Sequence, residues 1–379
     1  MRKIKYIGYY DVPDSDSEIY LAGVDKMNYI IASLEKNGFS VDVFSPVISQ
    51  LKKFGHKKAQ KKAIHSNSLL LTGPSITGIP CYLRKINYLY GQFWLFITLL
   101  CVLKRGEKII VYHSVISIPF LWLLRVIKRI KIILELEEVF HFLNSSNRFK
   151  GKMESAFISK ADGYILSNYY IKTKINFGIK DLCVVHGNYS RCKLIKNESL
   201  YADKINVVFA GMIEHIRNGA FNSVEVSRYL NSDYVIHILG YSDNAEIIDE
   251  LFEQITKINL ELGYTACIYH GRMQGEEYDA FLNSCQIALN PQNISDFMDY
   301  AFPSKILSYL THNLRVVSIK LNSLLNSDVS DHIIFSETDL PQDFANLILK
   351  IDTSIKCDNI EYIEDLDTKF QLSLRKLLT

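Results

Sequence analysis

The chain has 379 residues, enough for about two domains of ordinary size, and 48% of them are hydrophobic with a mean hydropathy of +0.04, which excludes a disordered or polytopic protein. Lys and Arg number 43 against 41 Asp and Glu, so the net charge of +2 gives no global field for nucleic acid, and none is expected as a partner. The cysteines form no Cys-x-x-Cys pair and no spacing with histidine suited to zinc, which points to a reducing cytosol with buried thiols.

The opening "MRKIKYIGYY" lacks an apolar run of signal-peptide length and reads as a strand, so secretion is not expected. In the first half strands are expected near 3–10, 40–44, 68–72, 108–112, 131–136, 162–166 and 182–185. Helical patterns fall between them near 21–37, 82–104, 117–129, 150–160 and 168–177. The run 86–103 carries no charge and sits at the lower length limit for a membrane span. Asn87, Gly91 and Gln92 dilute it, so it reads as a buried or membrane-grazing helix. Earlier, Lys52, Lys53, Lys57, Lys58, Lys61 and Lys62 crowd a segment expected to be loop or helix. Such a cluster attracts anionic lipid headgroups or a lipid diphosphate.

In the second half strands are expected near 205–210, 234–239, 266–270, 286–290 and 315–319, with helices near 219–230, 244–262, 276–284 and 303–312. Strands apolar along their whole length, alternating with helices, mark parallel sheets covered on both faces. The expected fold class is therefore α/β, with two Rossmann-like, doubly wound domains. The expected division is 1–186, a polar linker 187–204, 205–354, and a tail 355–379 whose helix, from about 363, packs back on the first domain.

Ligands of open α/β sheets sit at the carboxyl ends of the strands. Three strands of the second half end there in glycine, at Gly211, Gly240 and Gly271, where a backbone can approach a phosphate closely. Lys305 follows Pro303 and Ser304 in the first turn of a helix, where the helix dipole disfavours a cation unless an anion binds. Arg217, in the loop after Gly211, can meet the same anion. Neither Gly-x-Gly-x-x-Gly nor a Walker A pattern occurs, so such a ligand needs single glycines, a helix start and basic side chains. Asp14-Ser15-Asp16 matches a metal-binding Asp-x-Asp pattern but reads as a common acidic loop, and no metal is expected.

"FPSKILSYLTHNLRVVS", "VVFAGMIEHIRNGAFNSV" and "ACIYHGRMQGEEYDAFLNSCQIALNP" resemble the corresponding segments of GT-B glycosyltransferases. "AGVDKMNYIIASLEKNGFSVDVFSP" is similar to the first helix and second strand of the retaining branch that builds bacterial surface polysaccharides, capsule or O-antigen. The resemblance implies two domains facing across a cleft, with the acceptor on the first and a nucleotide diphosphate sugar, expected to be a UDP-sugar, on the second. It implies that Lys305 and Arg217 meet the donor diphosphate, that Gly211 lines the same pocket with Pro303, Ser304 and Gly240 beside it, and that the Arg272-Met273 backbone meets the base. Ser308 stands where the family usually has a ribose-gripping Glu, and Tyr300 where a second Glu often lies.

Transfer then needs no metal or other cofactor, because the cations stabilise the departing diphosphate. Glu135, Glu137 and Glu138 are expected at a strand end facing the cleft, with Glu138 as hydroxyl contact or base, and His113 and Asp11 on the acceptor side. The expected activity is sugar transfer to a lipid-linked or oligosaccharide acceptor at the cytoplasmic face of the inner membrane. The alternatives are a nucleotide-sugar 2-epimerase, or an inactive nucleotide-sugar-binding partner suggested by Ser308.

Overall fold

The structure, a computed structural model, describes residues 2–12, 15–19, 21–137, 139, 148–173, 175–192, 201, 203–294, 299–355 and 357–379. It divides into two compact units, Met1–Asn188 with Lys369–Thr379, and Tyr189–Thr368.

Unit 1 contains strands β1 (Arg2–Ile7), β2 (Phe39–Ser45), β3 (Gly55–Lys57), β4 (Gln60–Ile64), β5 (Ser68–Thr72), β6 (Ser75–Thr77), β7 (Lys108–Tyr112), β8 (Lys131–Leu136), β9 (Gly163–Leu166) and β10 (Leu182–Val184). Its helices are α1 (Leu21–Lys36), α2 (Arg84–Val102), α3 (Ile118–Lys128) and α4 (Arg148–Lys160). The main sheet runs β10-β9-β8-β7-β1-β2-β5-β4 and is parallel except for β4, which pairs antiparallel with β5. Successive residues of a strand face opposite sides of a sheet. Ile109 and Val111 of β7 join a core with Leu95 and Leu99 of α2, Leu121 of α3 and Phe157 of α4. Ile110, between them, is also fully buried, so the sheet is covered on both faces. α1 contributes Met27, Ile30, Ile31 and Leu34 to the buried set.

Unit 2 contains β11 (Ile205–Met212), β12 (Tyr234–Tyr241), β13 (Cys267–Gly271), β14 (Ile287–Asn290), β15 (Arg315–Ile319) and β16 (Ile333–Ser336). Its helices are α5 (Gly219–Val226), α6 (Ala245–Leu262), α7 (Gly275–Asn283), α8 (Lys305–Thr311), α9 (Asn322–Leu325) and α10 (Pro341–Ile348); α11 (Asn359–Leu378) begins in this unit, and its last residues belong to unit 1. There Phe370 stacks on Tyr29 of α1 with ring centroids 5.6 Å apart. All pairings in the sheet β13-β12-β11-β14-β15-β16 are parallel.

Several expectations need correction. The Lys-rich segment is loop only in part: Lys52, Lys53 and Lys58 lie between elements, but Lys57 is in β3 and Lys61 and Lys62 are in the edge strand β4, where only Ile64 of five residues is buried. The expected helix at 168–177 shrinks to a short 3-10 turn, Tyr170–Thr173, whose start is fixed by the Asn168 side chain accepting from the Ile171 N–H at 3.2 Å. β16 and α10 were not expected. Of the described cysteines, none of them in a disulfide, Cys101 is exposed and Cys192 and Cys357 are half-buried, so the thiols are not uniformly buried.

The first half of α2 is inverted relative to a common surface helix. It buries Asn87, Gly91 and Gln92, ahead of the core residues Leu95 and Leu99, and the helix exposes Ile86, Leu89, Phe93 and Ile97. Burying an amide requires partners. Asn87 accepts from the Ile76 N–H at 2.9 Å and donates to the Ile76 carbonyl at 2.8 Å, while Gln92 donates to the Tyr9 hydroxyl at 2.9 Å. No helix among the described residues is long and apolar enough to cross a membrane.

Candidate functional site

In unit 2 the chain moves outward from β11 through β12 to β13, then returns to β14 beside β11 and moves the other way through β15 to β16. The order therefore reverses between β11 and β14, and a crevice at such a reversal, outside the carboxyl ends of the strands, is where α/β sheets place ligands. Most of the residues expected on the donor side flank this point.

Gly211 and Gly240 are direct partners across β11 and β12. Gly240 has φ 153°, and a Cβ there would lie 1.9 Å from the Gly211 carbonyl oxygen. No side chain fits, so glycine is required by the close approach of two backbones. The loop after β11 is tied to the loop after β14. The Asn293 N–H donates to the Arg217 carbonyl at 2.7 Å, and Asn222 of α5 donates to the Pro291 carbonyl at 2.7 Å. Asn218 enters α5 in the left-handed region at φ 57°. The Arg217 side chain lies 3.2 Å from Glu214 and is 40% exposed, so its charge is partly matched and still reachable from solvent.

α8 is pinned beside Gly211 by a buried tyrosine. The Tyr309 hydroxyl accepts from the Ala210 N–H at 2.8 Å and faces the Ala210 carbonyl at 3.3 Å. Burial holds that phenol protonated, well above its ordinary range. At the other end of α8, Lys305 is exposed with its ammonium 4.5 Å from the ring centroid of Tyr278 on α7. No carboxylate among the described residues pairs with it. A cation over an aromatic face gains about 0.5–1 kcal/mol at an exposed site and keeps its charge available. Ser308, one turn on, sits 3.1 Å from the Tyr278 hydroxyl. Ser304 is exposed and Pro303 half-buried at the entry to the helix. Arg272, just past β13, lies 4.8 Å over the Tyr241 ring, and Met273 is half-buried next to it. Tyr300 is half-buried ahead of α8.

The acceptor-side residues behave differently. In unit 1 the strand order reverses between β1 and β7. Asp11 follows β1 and His113 follows β7, so both stand near the reversal, and both are buried. Asp11 accepts from the Ser17 hydroxyl at 2.7 Å and pairs with Lys62 at 3.1 Å. His113 lies 2.7 Å from Glu154, with both side chains essentially inaccessible. Asp16 pairs with Lys57 and lies 3.1 Å from the Ser49 hydroxyl; Asp14 is outside the described residues.

Glu138 also lies outside the described residues. Glu135 is fully buried and accepts a hydrogen bond from the Tyr6 hydroxyl, and Glu137 pairs with Lys26. Burial pushes the Glu135 carboxyl up to about 8, with Lys26 opposing the shift. A cavity of about 460 Å³ in unit 1, lined by Ser49, Gln50, Lys52, Arg84 and Asn87 among others, includes none of the expected site residues.

A sucrose-phosphate synthase from Thermosynechococcus elongatus superposes with a TM-score of 0.71 at 15% identity, covering 100% of this chain and 98% of that one. An alpha,alpha-trehalose-phosphate synthase (UDP-forming) from Burkholderia vietnamiensis gives 0.65 at 10% identity, covering 99% and 98%. Anabaena HepE in complex with UDP and glucose gives 0.64 at 12% identity, again covering 99% and 98%. The chain has the GT-B fold. No protein-family model matches the sequence, and no curated protein matches it. Sequence reading of the GT-B segments missed Tyr278 and Tyr309, which hold Lys305 and α8. Their only signal was helical spacing, which is shared by ordinary core residues.

Proposed function

We propose that the protein is a glycosyltransferase that moves a sugar from a UDP-sugar to a hydroxyl of a carbohydrate acceptor, with retention at the anomeric carbon and no metal in the transfer step. The observation that carries this reading is the strand reversal between β11 and β14, flanked by the Gly211–Gly240 pair, the Arg217 loop and the Lys305 end of α8. Supporting it, HepE is described as a complex with UDP and glucose, and the Burkholderia protein as UDP-forming.

In this reading Lys305 and Arg217 meet the two phosphates. As the bond to the anomeric carbon breaks, negative charge grows on the departing diphosphate, and fixed cations there stabilise the transition state more than the ground state. Arg217 exchanges part of its pairing with Glu214 for phosphate, and Lys305 leaves or tilts from the Tyr278 face. Gly211 and Gly240 keep side chains out of the donor's path, and the Arg272-Met273 backbone meets the base. With serine at 308, the ribose meets a hydroxyl already bonded to Tyr278 rather than a carboxylate. None of the three neighbours described above is named as an epimerase, which leaves that alternative without support.

For the acceptor, the neighbours' names point to sugar phosphates. A second reading, a lipid-linked glycan at the inner membrane surface, is favoured by one feature of unit 1. α2 exposes Ile86, Leu89, Phe93 and Ile97 in a stripe, α3 exposes Leu123, Val126 and Ile127, and Lys85, Lys104, Arg105 and Arg129 are exposed among and beside them. An apolar face rimmed by cations suits an anionic bilayer surface.

The test is a melt of the full chain against UDP-sugars, each with a sugar phosphate or a lipid-linked sugar as acceptor. A ligand at 100 times its Kd stabilises by about 2.7 kcal/mol. A UDP-sugar that raises Tm and releases UDP only with acceptor supports the proposal. No shift with any nucleotide sugar overturns it.

A further inference from the structure

Away from Lys305, three side chains of unit 2 bring metal-ligand atoms together. Cys192 precedes β11, Asp279 lies on α7 and His312 follows α8 at its C-terminal end. The Cys192 sulfur, an Asp279 carboxylate oxygen and a His312 ring nitrogen all lie within 4.8 Å of one another.

The orientation of His312 sets the chemistry. Its Nδ1 lies 2.6 Å from the Ser308 carbonyl oxygen, which can only accept, so Nδ1 carries the proton and Nε2 presents a lone pair. Nε2 faces Oδ1 of Asp279 at 3.3 Å, in a side chain only 1% exposed, and has no hydrogen-bond partner among the described residues. Two acceptors held face to face need a positive charge between them. A metal ion answers that need.

The remaining contacts separate this arrangement from a nucleophilic relay. A Cys–His–Asp relay uses one ring nitrogen for the thiol and the other for the carboxylate. Here Nδ1 is committed to a backbone carbonyl and Nε2 faces the carboxylate, so neither nitrogen is held by the thiol. An N–H bonded to a backbone carbonyl is the arrangement that fixes the tautomer of a metal-ligating histidine. The Cys192 thiol donates to the Thr311 hydroxyl at 3.4 Å, a weak contact that an ion would replace.

We propose that Cys192, Asp279 and His312 form a binding site for a divalent transition metal of zinc type, with water as the fourth ligand. Tetrahedral zinc at about 2.0–2.3 Å from N, O and S ligands places those ligands roughly 3.3–3.6 Å apart. The Nε2 to Oδ1 separation of 3.3 Å already fits. Binding converts the Cys192 thiol to thiolate and releases its proton to solvent. The partial exposure of Asp279, 29%, leaves an entry path. The ion ties the segment leading into β11 to α7 and to the end of α8, and so positions the helix that begins at Lys305. The site stands on its own ligands and does not depend on the glycosyltransferase reading.

The test uses the full chain, stripped with a chelator, dialysed, and titrated with Co²⁺ alone and then Zn²⁺ alone. The expected result is one equivalent of Co²⁺ with a near-ultraviolet thiolate charge-transfer band and tetrahedral visible bands, displaced by Zn²⁺. Cys192→Ala removes the charge-transfer band and weakens Zn²⁺ binding by about tenfold or more, as does the near-isosteric Asp279→Asn, while Cys101→Ala changes neither. Absence of a stoichiometric cobalt spectrum in the parent chain overturns the proposal. So does a spectrum that persists unchanged in both Cys192→Ala and Asp279→Asn.

Discussion

Replacing Gly240 by alanine tests whether the paired glycines at the ends of β11 and β12 are as constrained as their geometry indicates. The added Cβ would lie 1.9 Å from the Gly211 carbonyl oxygen, where contacts below 3.0 Å essentially never occur. The strands must therefore part by roughly 1 Å at the register pair Gly211–Gly240, or Gly240 must leave φ 153°. Overpacking of this kind costs about 1–3 kcal/mol, and the unfavourable φ adds to it. For a unit of this size each kcal/mol lowers Tm by about 2–4 °C, so a fall of roughly 5–10 °C is expected. Gly263→Ala is the control: it has φ 76° but nothing within 4 Å of the added Cβ, so it shows strain without collision. Melting followed by circular dichroism reads both. A Gly240→Ala protein that melts within a degree of the parent, or no lower than Gly263→Ala, refutes the reasoning.

Tyr309→Phe removes the hydroxyl that meets the Ala210 N–H, and leaving that buried group unpaired costs about 1–3 kcal/mol, read as a lower denaturant midpoint with an unchanged slope. Glu135 gains proton affinity on folding, so the folded state binds a proton that the unfolded state has released; stability is greatest below the unfolded carboxyl pKa and falls as pH rises towards about 8. Glu135→Gln should flatten that decline in urea melts recorded across the range, and an unchanged profile counts against a buried protonated carboxyl. Phe93→Glu, on the exposed face of α2, should abolish flotation with anionic vesicles if the membrane reading holds, with Tm unchanged; equal flotation of parent and variant removes the stripe from the account.

Much of the fold was legible because its central strands are short runs of β-branched and aliphatic residues, such as 108–112, 131–136 and 315–319, buried on both faces. Edge strand β4 was not, because Gln60, Lys61 and Ala63 are exposed and Lys62 is only half-buried, which leaves Ile64 alone to signal a core. α10 did carry a readable start, Pro341 at its first position with Phe344, Ala345 and Ile348 on one buried face, but its eight residues give little periodicity. The residues proposed to meet the donor stand out in the sequence as glycines at strand ends and a cation at a helix start. The partners of Asp11, Glu135 and His113, namely Lys62, Tyr6 and Glu154, lie far off in the chain, so the sequence showed the charges and not the pairings. Cys192, Asp279 and His312 are far apart in the chain, and only the packing of α7 against α8 and the segment before β11 brings them together.

The central claim is that Lys305 meets the diphosphate of a sugar donor. Its most direct test is acceptor-dependent UDP release from a UDP-sugar by the parent chain and by Lys305→Ala, with the product's anomeric configuration read by NMR. The account predicts turnover with retention in the parent and a loss of at least about a hundredfold in the variant, at an unchanged Tm. Turnover at the parent rate in Lys305→Ala would contradict it.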